Sequence, residues 1–201
     1  PRVKDDIRKQ LFAGETRDFF VGFDRPNLFF RVSQVGGNDE KIEVILETVR
    51  GLGLVKAGKP AHRGSAIVYC ATRKNVERVA EILRAEKVPV VAYHAGLRDE
   101  RRKDVQDLFM ADDAPVVVAT NAFGLGIDKP DIRAVLHHDI PGSVESYYQE
   151  AGRAGRDGEP ATCALLFNQA DTRTQEFFID LANPRRAAVE ATWRILTSHK
   201  E

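Results

Sequence analysis

Five short apolar runs, separated by amphipathic stretches, constrain the fold of this chain more than any other feature. The runs are SAIVYC (65–70), VPVVAY (88–93), PVVVAT (115–120), RAVLHHD (133–139) and ATCALLF (161–167). They are rich in Val, Ile and Ala and bounded by turn residues. That pattern suits strands buried on both faces of a parallel sheet. Between them the apolar period changes. Ile42, Ile45, Leu46 and Val49 fall at i, i+3, i+4, i+7, and Val76, Val79, Ala80 and Leu83 repeat the spacing. Val105, Leu108 and Phe109 give a shorter version. Each set makes one apolar stripe on an otherwise polar helix. Strands alternating with helices imply right-handed crossovers and an α/β fold, a parallel β-sheet sandwiched by helices. In such sheets ligands bind in the loops beyond the strand C-termini, so those loops hold the candidate functional residues.

The 201 residues suffice for one domain with attachments or for two small domains. Lys and Arg number 30 and so do Asp and Glu, which removes the argument for a strongly basic domain but leaves room for a local basic face. No apolar run approaches the roughly 20 residues of a membrane span, and no signal or transit peptide is visible. The chain starts at Pro1 and is expected to be a fragment of a longer protein. Cys70 and Cys163 sit inside apolar runs and read as buried thiols of a reducing compartment, a Cys70–Cys163 bridge being the alternative. Without CxxC spacing they make no zinc site within this chain. The expected setting is intracellular, the bacterial cytoplasm or a nucleus.

The ends differ from the middle. Residues 1–28, with a charged helical start and the turn-like FDRPN, are expected to be a linker or tail from a preceding lobe, and 29–170 the main lobe. Residues 171–201 are expected to form a helical extension toward a further C-terminal module. Asn183-Pro184 reads as the N-cap and first residue of its last helix. Val189, Thr192, Trp193 and Leu196 then share one face, expected to pack on a segment outside this chain.

Gly53 to Pro60 nearly matches the phosphate-loop pattern GxxxxGK[ST], but Pro60 replaces the hydroxyl that holds Mg²⁺. The segment also follows a helix and precedes a strand, the reverse of a phosphate loop's context. The informative strand ends lie elsewhere. Thr72, Arg73 and Lys74 emerge after the first run, where a helix start attracts phosphate. The plain alternative is a helix cap with solvated charges. His94 ends the second run. After the third, Thr120 opens a long loop in which GLGID places Gly124 and Gly126 beside Asp128. Glycine allows close backbone approach, and the carboxylate can accept from a ribose or an arginine. Arg153 and Arg156 stand three apart among glycines, so one helical turn points both the same way. Guanidinium forks bind phosphate and stabilise charge in phosphoryl transfer. Without a phosphate loop beside them, they suggest a finger donated to a nucleotide on another domain. The alternative is surface pairing with Glu150 and Asp157.

Together YHAGL (93–97), VVATNAFGLGIDKP (117–130) and SYYQEAGRAGRDG (146–158) resemble the second RecA-like lobe of superfamily 2 helicases, and most closely the RecQ family. Gln149-Glu150 before the glycine-arginine segment points away from the DEAD-box RNA group. The resemblance implies an ATP-driven 3′-to-5′ DNA helicase of repair and recombination, with single-stranded and duplex DNA as partners. It implies ATP and Mg²⁺ shared with an N-terminal RecA-like lobe that carries the phosphate loop. Arg153 and Arg156 would reach the γ-phosphate, Arg156 as the finger, and Gly126 and Asp128 would face the nucleotide. Thr72, Arg73, His94 and Thr120 would lie near the single strand. The isolated chain is then expected to be inactive. A non-catalytic lobe that binds nucleic acid or a partner, or a related superfamily 2 translocase, is the alternative.

Overall fold

A computed structural model of the chain describes residues 6, 9–10, 24–54, 64–124, 127–184 and 186–198. Its strands are β1 (Leu28–Gln34), β2 (Ser65–Tyr69), β3 (Val90–Tyr93), β4 (Val116–Ala119), β5 (Ile132–His137) and β6 (Ala161–Phe167). Its helices are α1 (Asn38–Gly51), α2 (Arg73–Ala85), α3 (Asp99–Met110), α4 (Val144–Ala151), α5 (Asp171–Ala182) and α6 (Arg186–Ser198). They build the expected parallel sheet, in the order β1-β6-β5-β2-β4-β3.

The strand period of two divides the core into two layers. Ala66 and Val68 of β2 face the stripes of α1 and α2, among them Ile45, Val49, Val79 and Leu83. Ile67 and Tyr69 face the other way, onto Val105 and Phe109 of α3 and onto Phe123. Phe109 and Phe123 meet edge to face at 5.5 Å, a geometry favoured by the ring quadrupoles.

Two elements escape the sequence pattern. β1 is an edge strand whose Phe29, Phe30 and Val32 stay exposed, so its place comes from the backbone ladder to β6. α4 is eight residues long and buries Glu150 and Ala151, too little for an apolar stripe. Its start is marked instead by Ser143, whose side chain accepts the Ser146 N–H.

The end of the chain corrects one expectation. Asn183 closes α5, its side-chain amide donating to the Ile179 carbonyl at 2.9 Å, and α6 begins at Arg186. Val189, Thr192, Trp193 and Leu196 do share one face of α6, together with Ala188. The near phosphate-loop segment follows α1 and precedes β2 as expected, and its residues 55–60 lie outside the described ones. Cys70 and Cys163 are both free and buried, which excludes the bridge. No described helix is long and apolar enough to cross a membrane.

Candidate functional site

Three of the predicted strand-end residues line one groove. Thr72 caps α2, its Oγ1 accepting the Asn75 N–H at 3.1 Å. Arg73 is exposed, and its guanidinium lies over Gly96, where a Cβ would stand 2.8 Å from Nη1. Thr120 follows β4, its N–H donating to the Tyr93 carbonyl. The opposite wall comes from α5, through Arg173, Phe177 and Phe178. Nothing in the sequence pattern marked that wall, because α5 has no buried residue. Among the described residues neither Arg73 nor Arg173 has a carboxylate partner. His94 does not line the groove. It is buried, with Nδ1 accepting the Gly96 N–H at 3.1 Å and Nε2 lying 2.7 Å from Glu77. The proton therefore sits on Nε2, and the ring orders the Ala95–Gly96 turn.

The two predicted arginines are brought to one loop by a different route from the expected helical turn. α4 ends at Ala151 with Gly152 as its cap, and Gly155 at φ +55° turns the chain away. Here the glycines end a helix rather than weaken one. Arg153 Nη1 donates to the Gly124 carbonyl at 2.6 Å, and Arg156 Nη1 donates to Asp128 at 2.5 Å. Gly124 has φ +138°, and a Cβ there would lie 2.2 Å from the Arg153 Cζ. The positive φ calls for glycine, and a methyl group there would have to push the Arg153 guanidinium aside. Beneath this contact Tyr69 donates to the Phe123 carbonyl at 3.1 Å. Burial pushes its phenol far above the ordinary range, with Arg153 opposing the shift. Gly126 lies outside the described residues. The alternative partners are taken: Glu150 bonds His137 at 2.7 Å and Asp157 pairs with Arg133.

Arg25 and Asn27 brace that segment. Arg25 Nη2 donates to the carbonyls of Ala154 and Gly155 at 2.9 and 2.8 Å. Asn27 Nδ2 donates to Gly155 and Glu159 at 2.8 and 2.9 Å. A carbonyl-rich turn before β6 thus finds its donors at the start of the neighbouring strand β1, some 130 residues away in sequence, a pairing without sequence periodicity.

The chain leaves β2 toward β3 on one side and β5 toward β6 on the other, so the crevice between them is the sheet's switch point. A pocket of about 380 Å³ lies there, lined by Tyr69, His137, Asp139, Glu150, Gln175 and Phe178 among others. Beside it Lys41 is buried, its Nζ bonded to the His138 carbonyl at 2.5 Å and to both oxygens of Asp171 at 2.7 and 2.8 Å. A buried ammonium needs such partners, and these tie the start of α5 to α1. Burial pushes the Asp139 carboxyl up, but hydrogen bonds from His138, Asn75 and the Ala71 N–H prevail and hold its pKa at about 2. Cys70, His138 and Asp139 each place one ligand atom within 4.8 Å of the others. Lys41 Nζ stands 3.8 Å from Asp139, and burial pushes the Cys70 thiol up, so both work against a cation there.

A family model described as the helicase conserved C-terminal domain matches residues 40–158. The chain is 44% identical over 180 residues to the ATP-dependent DNA helicase RecQ of Bacillus subtilis, covering 90% of this chain and 28% of that protein. It is 42% identical over 172 residues to the RecQ-like DNA helicase BLM of Xenopus laevis, covering 85% and 12%. Among solved structures, S. cerevisiae Dbp5 bound to RNA and ADP BeF3 matches with a TM-score of 0.61 at 22% identity, over 89% of this chain and 45% of that one. The parallel sheet, the loop that receives both arginines and the match over more than half its length agree: this chain belongs to the helicase conserved C-terminal domain family, with RecQ-type relatives.

Proposed function

We propose that this chain is the C-terminal motor lobe of an ATP-dependent DNA helicase of the RecQ type, working 3′ to 5′ in repair and recombination. One observation carries the reading: Thr120, Asn121 and Ala122 line the strand-end groove, while Gly124 and Asp128, close after them in the chain, receive Arg153 and Arg156. Arg156 is the arginine finger. Its partner Asp128 is 85% exposed, and exposed pairs of this kind are worth only about 0–1 kcal/mol. A polyphosphate therefore competes for the guanidinium, which binds it bidentately. Arg153, half-buried on the Gly124 carbonyl, holds the loop against the finger segment. Asp128 faces the nucleotide on this reading.

These residues fit one side of a nucleotide: an exposed guanidinium and carboxylate, with Pro60 where a phosphate loop has its Mg²⁺-binding hydroxyl. ATP with Mg²⁺, held chiefly by an N-terminal RecA-like lobe, supplies the phosphoryl transfer that drives the cycle. On the strand side Thr72, Arg73 and Thr120 meet backbone phosphates, contacts that carry no sequence information. His94 keeps the adjoining turn in place. The RNA and ADP BeF3 bound to Dbp5 support the reading, since a protein that shares this fold meets both ligand classes.

The test is DNA-stimulated ATP hydrolysis by the complete protein. Arg156→Ala is expected to fold and bind ATP while hydrolysis falls about 10³-fold or more. Unchanged hydrolysis would remove Arg156 from the finger role.

A further inference from the structure

The groove has a second wall that the strand-end loops do not supply. Phe177 and Phe178 of α5 are 62% and 38% exposed, with ring centroids 5.8 Å apart. Apolar rings of that size are normally covered. Arg173 lies one helical turn before Phe177, and Arg73 looks across from α2. Among the described residues the groove lining contains no Asp or Glu. It therefore joins unpaired guanidinium groups to exposed aromatic faces, the combination that suits a polyanion carrying flat bases.

This wall is also held in place. Lys41, buried at 1% exposure, grips Asp171 at the start of α5. One turn further, Gln175 Nε2 donates to the Ile140 carbonyl at 2.6 Å. The first half of α5 is thus fixed to α1 and to the segment after β5, while Phe177 stays exposed.

We infer that α5 is part of the strand-binding surface: Phe177 stacks on a base of single-stranded nucleic acid while Arg173 and Arg73 meet the phosphates on either side. This rests on the groove being the strand site. Charge complementarity selects the occupant, because an apolar protein segment would leave both arginines unanswered. Stacking on a ring is available to every base, so the contact adds affinity without sequence preference.

The experiment measures binding of an oligo-dT to the complete protein. Phe177→Ala is expected to weaken it about tenfold. Phe177→Trp is expected to bind within about twofold of wild type, and the added indole emission to be quenched by oligo-dT, as stacking requires. Arg173→Ala is expected to lower the slope of log K against log salt by about one. If Arg73→Ala loses affinity while Phe177→Ala binds as wild type, the groove reading stands and the inference about α5 fails. If both variants bind as wild type, the groove is not the strand site and both fail. An indole at 177 that oligo-dT leaves unchanged overturns the stacking role, since it places another part of the protein over that face.

Discussion

Arg153 and Arg156 differ in what holds them. Arg156 rests on one exposed carboxylate, whereas Arg153 lies against the bare backbone of Gly124. A methyl group at 124 must displace that guanidinium, and φ +138° strains any L side chain there. Gly124→Ala is therefore expected to lower stability by about 1–3 kcal/mol and to reduce DNA-stimulated hydrolysis in the complete protein. A urea midpoint and a turnover rate both equal to wild type would refute the packing argument. Asp139 gives a prediction in pH. Its folded pKa of about 2 lies below the ordinary 3.8, so the unfolded chain binds more protons between these values. Stability then rises with pH across that window. The contribution, about 2 kcal/mol, is complete above about pH 4 and lost as pH falls toward 2. Urea unfolding of Asp139→Asn at pH 2.5 and pH 6 checks this, because the variant should show a shallower loss between the two. An identical acid profile would show that the carboxylate is not held as described.

At the scale of elements, the decisive contact is one between α1 and α5. Lys41 is among the largest fully buried side chains of the described residues, and its charge is answered by Asp171 and the His138 carbonyl. Removing one partner of such a pair strands the other, at about 3–5 kcal/mol. Lys41→Met is expected to lower stability by that amount and to expose the α5 amides to hydrogen exchange before the sheet opens. A loss under about 0.5 kcal/mol, the scale of an ordinary surface substitution, with α5 still protected, would sink the anchoring role. The same contact shows where the sequence stopped being legible. β2 to β6 were readable because Val116–Ala119 and their neighbours are buried on both faces and leave an unbroken apolar signature. β1 was not, since an edge strand held by its ladder needs no such signature. In the site, Thr72, Arg73 and Thr120 were readable as strand ends, and they do share a groove. Arg173 and Phe177 were not, because only tertiary packing turns α5 toward that groove. Arg25 and Asn27 act through carbonyls of a distant turn, and a donor meeting a backbone acceptor leaves no pattern along the chain.

For the molecule as a whole, the proposed reading puts the strand groove and the finger on one lobe, each offering half of what its ligand would need. On that reading the strand would meet arginines and a few hydroxyls on a chain of zero net charge. The nucleotide would meet a finger with no complete phosphate-loop motif in the sequence beside it, Pro60 standing in the hydroxyl position. Residues 1–201 alone are therefore expected to show no steady-state ATP hydrolysis, with or without DNA. Their affinity for oligo-dT should be weak and fall steeply with salt, since released counterions supply it. Both signatures should change together when the complete protein is used, with hydrolysis appearing and the strand bound more tightly. Measurable hydrolysis by 1–201 would mean that the chain holds a full nucleotide site of its own. Tight binding that ignores salt would mean that the strand is held by something other than the two groove arginines. If hydrolysis stays absent in the complete protein while binding persists, the lobe serves as a nucleic-acid module and Arg156 has no phosphate to reach.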